Sequence, residues 1–215
     1  MKRAVIFDLD GTLADSINYH FRIHKKVFSE LGINLTKRYF QMRCNGTEPK
    51  EFYKRILMDS VGDTRLLDKA WNMMIGMKTD EGIDSIGIYP GVKTMLKRLD
   101  KDGYKMVVAS SSRYNYVKRI LDNNDITHYF DDIVGSDDFK LSKPDPSIFL
   151  EAYRRTGMRK KECVVIEDSI NGIVAAKRAR MDVISVLTTE RIDDIPDYAN
   201  VAERHTFIPD LISTM

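Results

Sequence analysis

Short apolar runs rich in β-branched residues recur along this chain, and each is followed by a stretch with helical spacing. The runs fall at 3–8, 105–109, 132–134, 163–166 and 183–187. A strand that is apolar throughout, with no polar alternation, is buried on both faces. Strands of that kind separated by helices belong to a parallel sheet with helices on both faces and right-handed crossovers. The pattern therefore predicts an α/β, Rossmann-like fold. One interval breaks the rhythm. From 16 to 85 no convincing strand appears. Ile17, Phe21, His24, Val27, Phe28 and Leu31 repeat at three- and four-residue steps, and Gly32 is placed to end that helix. Further helices are expected at 50–60 and 65–78. We read 16–85 as an inserted helical unit, and 1–15 with 86–215 as the core that carries the sheet.

Ligands of open parallel sheets bind beyond the carboxyl ends of the strands, so the residues just after each run matter most. The first run ends in Asp8-Leu9-Asp10-Gly11-Thr12, and the second in Ser110-Ser111-Ser112. A loop carries Ser142-Lys143-Pro144-Asp145-Pro146, and the run at 163–166 leads into Glu167-Asp168-Ser169. Asp8 and Asp10, at i and i+2, can face the same side, one as nucleophile and the other as proton donor. The plain alternative is that such acids cap turns and helix starts. It weakens when four acids converge on one rim. Two like charges about 4 Å apart repel by roughly 4 kcal/mol at an effective dielectric near 20. A crevice holding several carboxylates therefore needs a cation or protonation. Hard oxygen ligands point to Mg2+, which accepts phosphate oxygens as further ligands. Lys143, set rigidly before a Pro-Asp-Pro turn, adds positive charge. Ser110 and Ser111 precede a helix and suit a phosphate oxygen, although a serine-rich turn is otherwise ordinary loop.

The bulk numbers narrow the partners. The chain's 215 residues allow one substantial core or a core with a small insert. A net charge of +2 gives no reason to expect nucleic acid or membrane. The apolar run near the start is too short for a signal peptide or a span. Cys44 and Cys163 lie far apart without CxxC spacing and read as two reduced thiols. The expectation from these numbers is a cytoplasmic protein, with monomer as the default state; the motifs described next imply a small phosphorylated metabolite as its partner. There is no internal repeat.

In this order, the four segments resemble the sequence motifs of the haloacid dehalogenase superfamily. Glu167 to Ala176 is similar to that family's acidic motif and the helix after it, and the insert resembles its helical type I cap. Residues 13–24 and Tyr89-Pro90-Gly91 resemble the branch with β-phosphoglucomutase and small sugar-phosphate phosphatases. Arg180 departs from the pattern, because relatives carry glycine there. The resemblance implies that Asp8 is a metal-bound nucleophile forming an aspartyl-phosphate, and that Asp10 is the general acid–base, with its backbone carbonyl on the metal. It implies Asp168 as a direct Mg2+ ligand, with Glu167 beside or behind it. Ser110, Ser111 and Lys143 would hold the phosphoryl oxygens, and His20 would stand near the hinge of the cap.

Hydrolases and mutases of this superfamily share all four motifs, so the cap decides between them. His20 favours a mutase slightly. Against it, residues 46–50 read Gly-Thr-Glu-Pro-Lys without the mutase's arginine, and the stretch matching its cap lysine is Ile75-Gly76-Met77. Lys50 or Lys78 are possible substitutes. A phosphatase is the reading preferred, with a β-phosphoglucomutase-like enzyme second. A dehalogenase has no use for Asp10 or the acidic pair, and a non-catalytic binding protein usually loses a motif residue. His20 and His24, at i and i+4, do not make a zinc site without a third ligand. Met73, Met74 and Met77 are read as helical core, and Arg178 and Arg180 as a solvated face.

Overall fold

The structure is a computed structural model and describes residues 1–43, 49–138 and 141–215. Strands are β1 Ala4–Phe7, β2 Lys105–Ala109, β3 Asp132–Val134, β4 Cys163–Glu167, β5 Asp182–Val186 and β6 Asn200–Ala202. They form one parallel sheet in the order β3-β2-β1-β4-β5-β6. The chain moves outward from β1 to β3, then crosses back to place β4 on the other side of β1. That reversal opens a crevice at the carboxyl ends of β1 and β4.

The alternation of side chains explains why the strands read as unbroken apolar runs. Val5, Phe7, Met106, Val108, Val164 and Ile166 join one core with α6 (Val92–Lys101), α7 (Tyr114–Asn123) and α10 (Ile208–Ser213). Ala4, Ile6, Val107, Ala109, Cys163 and Val165 join another with α8 (Ser147–Thr156) and α9 (Ile170–Arg178). Each fully buried Val, Ile or Phe in these layers contributes about 1.5–3 kcal/mol relative to exposure.

Between β1 and β2 lie α1 (Ile17–Glu30), α2 (Lys37–Arg43), α3 (Pro49–Val61), α4 (Leu67–Met77) and α5 (Asp80–Asp84). Ile17, Val27, Phe28, Phe52, Tyr53, Leu57 and Met74 form a separate buried cluster there, with Met73 and Met77 packed at its edge. The chain leaves for these helices and returns from them along two adjacent segments. Asp15 N–H donates to Gly87 O at 2.9 Å, and Tyr89 N–H donates to Leu13 O at 3.0 Å. Among the described residues no helix is long and apolar enough to cross a membrane. Cys163 is a buried free thiol, and Cys44 lies outside the described residues.

Several elements differ from expectation. The helix expected to run to Arg180 ends at Arg178, and Arg180 adopts a left-handed φ of 58°. That conformation favours glycine, which is why a glycine is the usual residue at this helix end. The short helices α2 and α5 escaped the sequence reading because each spans two turns or fewer. Strand β6 opens on an exposed Asn200 and lacks the Ile-Val pair that marks the equally short β3, and α10 opens on Ile208-Pro209, with proline inside the first turn.

His24 sits inside the helical cluster, 2% exposed, with Nδ1 2.9 Å from the Tyr53 hydroxyl. Burial, together with the charges of His20 and Lys78, holds its pKa well below the usual histidine value. The unfolded chain takes up a proton near pH 6.5 and the folded one does not. This group's stabilisation is therefore complete above that pH and declines below it, by up to about 1.4 kcal/mol per pH unit. The urea midpoint is expected to fall between about pH 7 and about pH 5, and to fall less steeply in His24→Leu. Parallel slopes for the two proteins would remove His24 from this account.

Candidate active site

Parallel register brings the motif residues together. Phe7 pairs with Val108 and Ile166, so the residues after each strand emerge side by side. Asp8 continues the ladder for one bond, its N–H donating to Ile166 O at 3.0 Å, and then the chain turns. Asp8 is 5% exposed, Lys143 1%, Glu167 0% and Asp168 1%, so water cannot solvate their charges and they must satisfy one another.

The Lys143 ammonium does much of this. It donates to Asp8 Oδ1 and, at 2.7 Å, to Glu167 Oε1, and it stands 4.8 Å from the centre of the Phe149 ring. Burial works against its charge, but Asp8 and Glu167 outweigh burial and keep its pKa above the ordinary lysine value. Glu167 is fully engaged. Its Oε2 accepts from the backbone N–H groups of Asp168 and Ser169 and from the Ser169 hydroxyl. Ser169 also caps α9 through Gly172 N–H. Glu167 thus fixes Lys143 and the turn into α9. Asp168 accepts from Thr12 Oγ1 at 2.8 Å through Oδ1, and from Thr189 Oγ1 at 2.5 Å through Oδ2.

Burial pushes the pKa of Asp8 well above the carboxylate range. Lys143 opposes this shift, and Glu167, Asp168 and Asp10 add to it. A buried carboxylate with three acidic neighbours and one ammonium is short of positive charge. Asp8, Glu167 and Asp168 offer oxygens that all lie within 4.8 Å of one another. With oxygen donors and neither His nor Cys, that set fits Mg2+.

Two glycines make the cluster possible. Gly11 has a φ of 93°, and a Cβ there would lie 2.2 Å from Asp168 Oδ2. A Cβ on Gly172 would lie 1.7 Å from Glu167 Oε1. Gly172→Ala is therefore expected to push Glu167 off Lys143. Overpacking of this kind costs about 1–3 kcal/mol, and activity should fall with it. Unchanged melting temperature and turnover would contradict this arrangement.

Asp10 points away from that cluster, toward the helical insert. Its Oδ1 accepts from Ser16 Oγ at 2.6 Å and Tyr116 OH at 3.2 Å, and lies 3.3 Å from His20 Nε2. Its Oδ2 accepts from Ser112 Oγ at 2.7 Å and, at a long 3.4 Å, from Ser110 Oγ. The Tyr116 hydroxyl also lies 2.8 Å from His20 Nε2. Burial alone would raise the pKa of Asp10, but the bond and charge of His20, with Ser16 and Ser112, hold it below the usual range.

The structure thus brings Asp8, Lys143, Glu167 and Asp168 into one cluster, with Asp10, Ser110 and His20 beside it. Ser111 is half-buried next to Ser110. Several participants were not anticipated. Thr188 Oγ1 donates to Gly11 O at 2.5 Å, and Thr189 holds Asp168. Both stand just past β5, where the strand-end rule applies equally. His205 Nε2 donates to Thr12 O at 2.6 Å and comes from a C-terminal segment without a motif. Arg178, expected on a solvated face, is exposed but donates to Pro144 O at 3.0 Å, beside Lys143. Of residues 46–50, the stretch that corresponds to the mutase's arginine, 46–48 lie outside the described residues.

Comparison with known proteins agrees with this geometry. The family model described as haloacid dehalogenase-like hydrolase matches residues 5–186. The β-phosphoglucomutase of Bacillus subtilis is 31% identical over 195 residues, covering 86% of this chain and 83% of that protein. Hexitol phosphatase B of Escherichia coli is 28% identical over 203 residues, covering 89% and 86%. The crystal structure of a hydrolase from Pseudomonas syringae superposes with a TM-score of 0.85 at 25% identity, covering 100% of this chain and 99% of that one. With the family model spanning most of its length and the four motif segments meeting at one crevice, the chain belongs to the haloacid dehalogenase-like hydrolases.

Proposed function

We propose that this protein is a phosphatase of small phosphorylated metabolites, with sugar phosphates as the favoured class. The observation that carries the reading is the buried Asp8 carboxylate, held by Lys143 beside Glu167 and Asp168, with Asp10 adjacent on the leaving-group side. Relatives named as phosphatases support it.

In this reading Asp8 attacks phosphorus and forms an aspartyl-phosphate. Lys143 and Ser110 hold the transferring oxygens, together with the backbone at Ser111, so most of the rate comes from positioning and charge. Asp10 gives a proton to the departing alcohol and then takes one from the water that cleaves the intermediate; because His20, Ser16 and Ser112 hold it ionised in the free protein, it must take up that proton as the substrate displaces those partners. Asp8 and Asp168, with the Asp10 carbonyl, would hold Mg2+, which when bound supplies the positive charge that keeps Asp8 ionised. Glu167 orients Lys143 and Asp168 from behind. The insert at 16–85 serves as a cap, closing over the crevice on the paired segments around Asp15 and Gly87 and excluding water. His20 stands at that junction.

Release of inorganic phosphate from p-nitrophenyl phosphate tests the reading. Activity should fall at least about a hundredfold with a chelator, since such an ion contributes several kcal/mol, and return with Mg2+. A chelator-insensitive enzyme would refute the proposed metal. A second reading, a phosphomutase, is supported by similarity to β-phosphoglucomutase. β-Glucose 1-phosphate with a trace of glucose 1,6-bisphosphate separates the two: a mutase yields glucose 6-phosphate without free phosphate.

A further inference from the structure

Hydroxyl groups orient the Asp168 carboxylate. Thr12 Oγ1 donates to its Oδ1 at 2.8 Å, from the same segment that supplies Asp8. Thr189 Oγ1 lies 2.5 Å from its Oδ2 and 2.9 Å from its backbone carbonyl oxygen. One side chain thus ties down both the main chain and the carboxylate of Asp168. Lys143 serves Asp8 and Glu167 instead. Thr189 stands past β5, outside all four motif segments.

The backbone of Thr189 is in turn bonded to the helical insert. Gln41 Nε2, on α2, donates to the Thr189 carbonyl oxygen at 3.2 Å. Arg38 and Gln41 are three residues apart and share a face of α2. The charge of Arg38 acts on Glu190, which also accepts from Ile170 N–H at the start of α9. The insert therefore reaches the crevice at two places. Near the paired segments, Ser16 and His20 approach Asp10. From α2, Gln41 bonds the residue that holds Asp168. Groups behind a metal ligand fix its orientation, and their loss weakens metal affinity about 10- to 100-fold. Where such a group has its own backbone tied to the insert, the orientation of the ligand depends on where the insert sits.

We propose that Thr189 is a positioning residue that holds Asp168 for Mg2+, and that Gln41 makes this hold depend on the seating of the helical insert. The inference rests on the proposed metal site and adds a link between the insert and the ion. Linkage is reciprocal, so an ion on Asp168 also favours the seated insert.

The test is Mg2+ affinity, read by calorimetry on the full chain without substrate, with melting temperatures in chelator beside it. Thr189→Val keeps the shape of the side chain and removes its hydroxyl. It should raise the Kd for Mg2+ about tenfold or more, and Thr189→Ser should restore most of that affinity. Gln41→Leu should raise Kd about two- to fivefold, the scale of one hydrogen bond. It should have little effect in the Thr189→Val background, because its action passes through the Thr189 hydroxyl. A wild-type Kd in Thr189→Val, or a loss seen only as a lower melting temperature in chelator, would overturn the positioning role while leaving the metal site. An unchanged Kd in Gln41→Leu would overturn the link to the insert. If the wild-type chain takes up no Mg2+, the proposed metal site fails and this role of Thr189 fails with it.

Discussion

Asp8→Asn should lower turnover of a generic phosphate monoester by about 10⁴-fold or more, the scale seen when a covalent nucleophile is removed. Asparagine keeps the shape of the side chain but cannot attack phosphorus as a carboxylate does. The fold should survive, and the reason is electrostatic. Burial and the neighbouring acids Glu167, Asp168 and Asp10 disfavour a charge on Asp8, with only Lys143 opposing them. Neutralising it in the metal-free protein removes that repulsion, so the melting temperature should equal or exceed that of the wild type. The stabilisation gained on adding Mg2+ should shrink, because one ligand has lost its charge. An active Asp8→Asn protein would end the covalent mechanism. A metal-free variant that unfolds more easily would show that the electrostatic reading of the cluster is wrong.

Lys143→Met should act in the opposite sense on stability. Methionine has similar length and can still pack against Phe149, so the loss is mainly of charge and hydrogen bonds. Asp8 and Glu167 then face each other and Asp168 without their ammonium. Removing one partner from a buried ion pair costs about 3–5 kcal/mol. That should appear in urea unfolding of the metal-free protein, and Mg2+ should recover part of it by supplying positive charge to the same acids. Activity should fall by about 10²–10³-fold or more, as when a preorganised donor to developing charge is lost. If Lys143→Met unfolds at the wild-type urea concentration, Lys143 does not carry the cluster.

The parts of the site that were legible in the sequence share one cause. Asp8 and Asp10 follow β1, Ser110 follows β2, and Glu167 and Asp168 stand at the end of β4. Each strand is buried on both faces and therefore reads as an apolar run, and a parallel sheet points those ends the same way. Lys143 was legible because the Pro-Asp-Pro turn marks a fixed loop. Tyr116 was hidden by its company. It lies on α7 beside Val117, Ile120 and Leu121, and it reads as one more core residue, yet its hydroxyl reaches Asp10. Ser112 was lost within a run of three serines. Thr188 and Thr189 follow β5 but belong to none of the four motif segments, so nothing local sets them apart. His205 had no periodic neighbours to place it, and its contact with Thr12 spans almost the whole chain. Such long-range bonds depend on tertiary closure, and no local pattern encodes them.

The central claim is that Asp8 forms a bond to phosphorus within a crevice that needs a divalent ion. Its most direct test is borohydride trapping during turnover with Mg2+, followed by peptide mass analysis. Borohydride reduces an aspartyl-phosphate to homoserine, so the account predicts homoserine at position 8 only when substrate and Mg2+ are both present. Steady turnover with position 8 recovered entirely as aspartate, or with the modification on another residue, would contradict it.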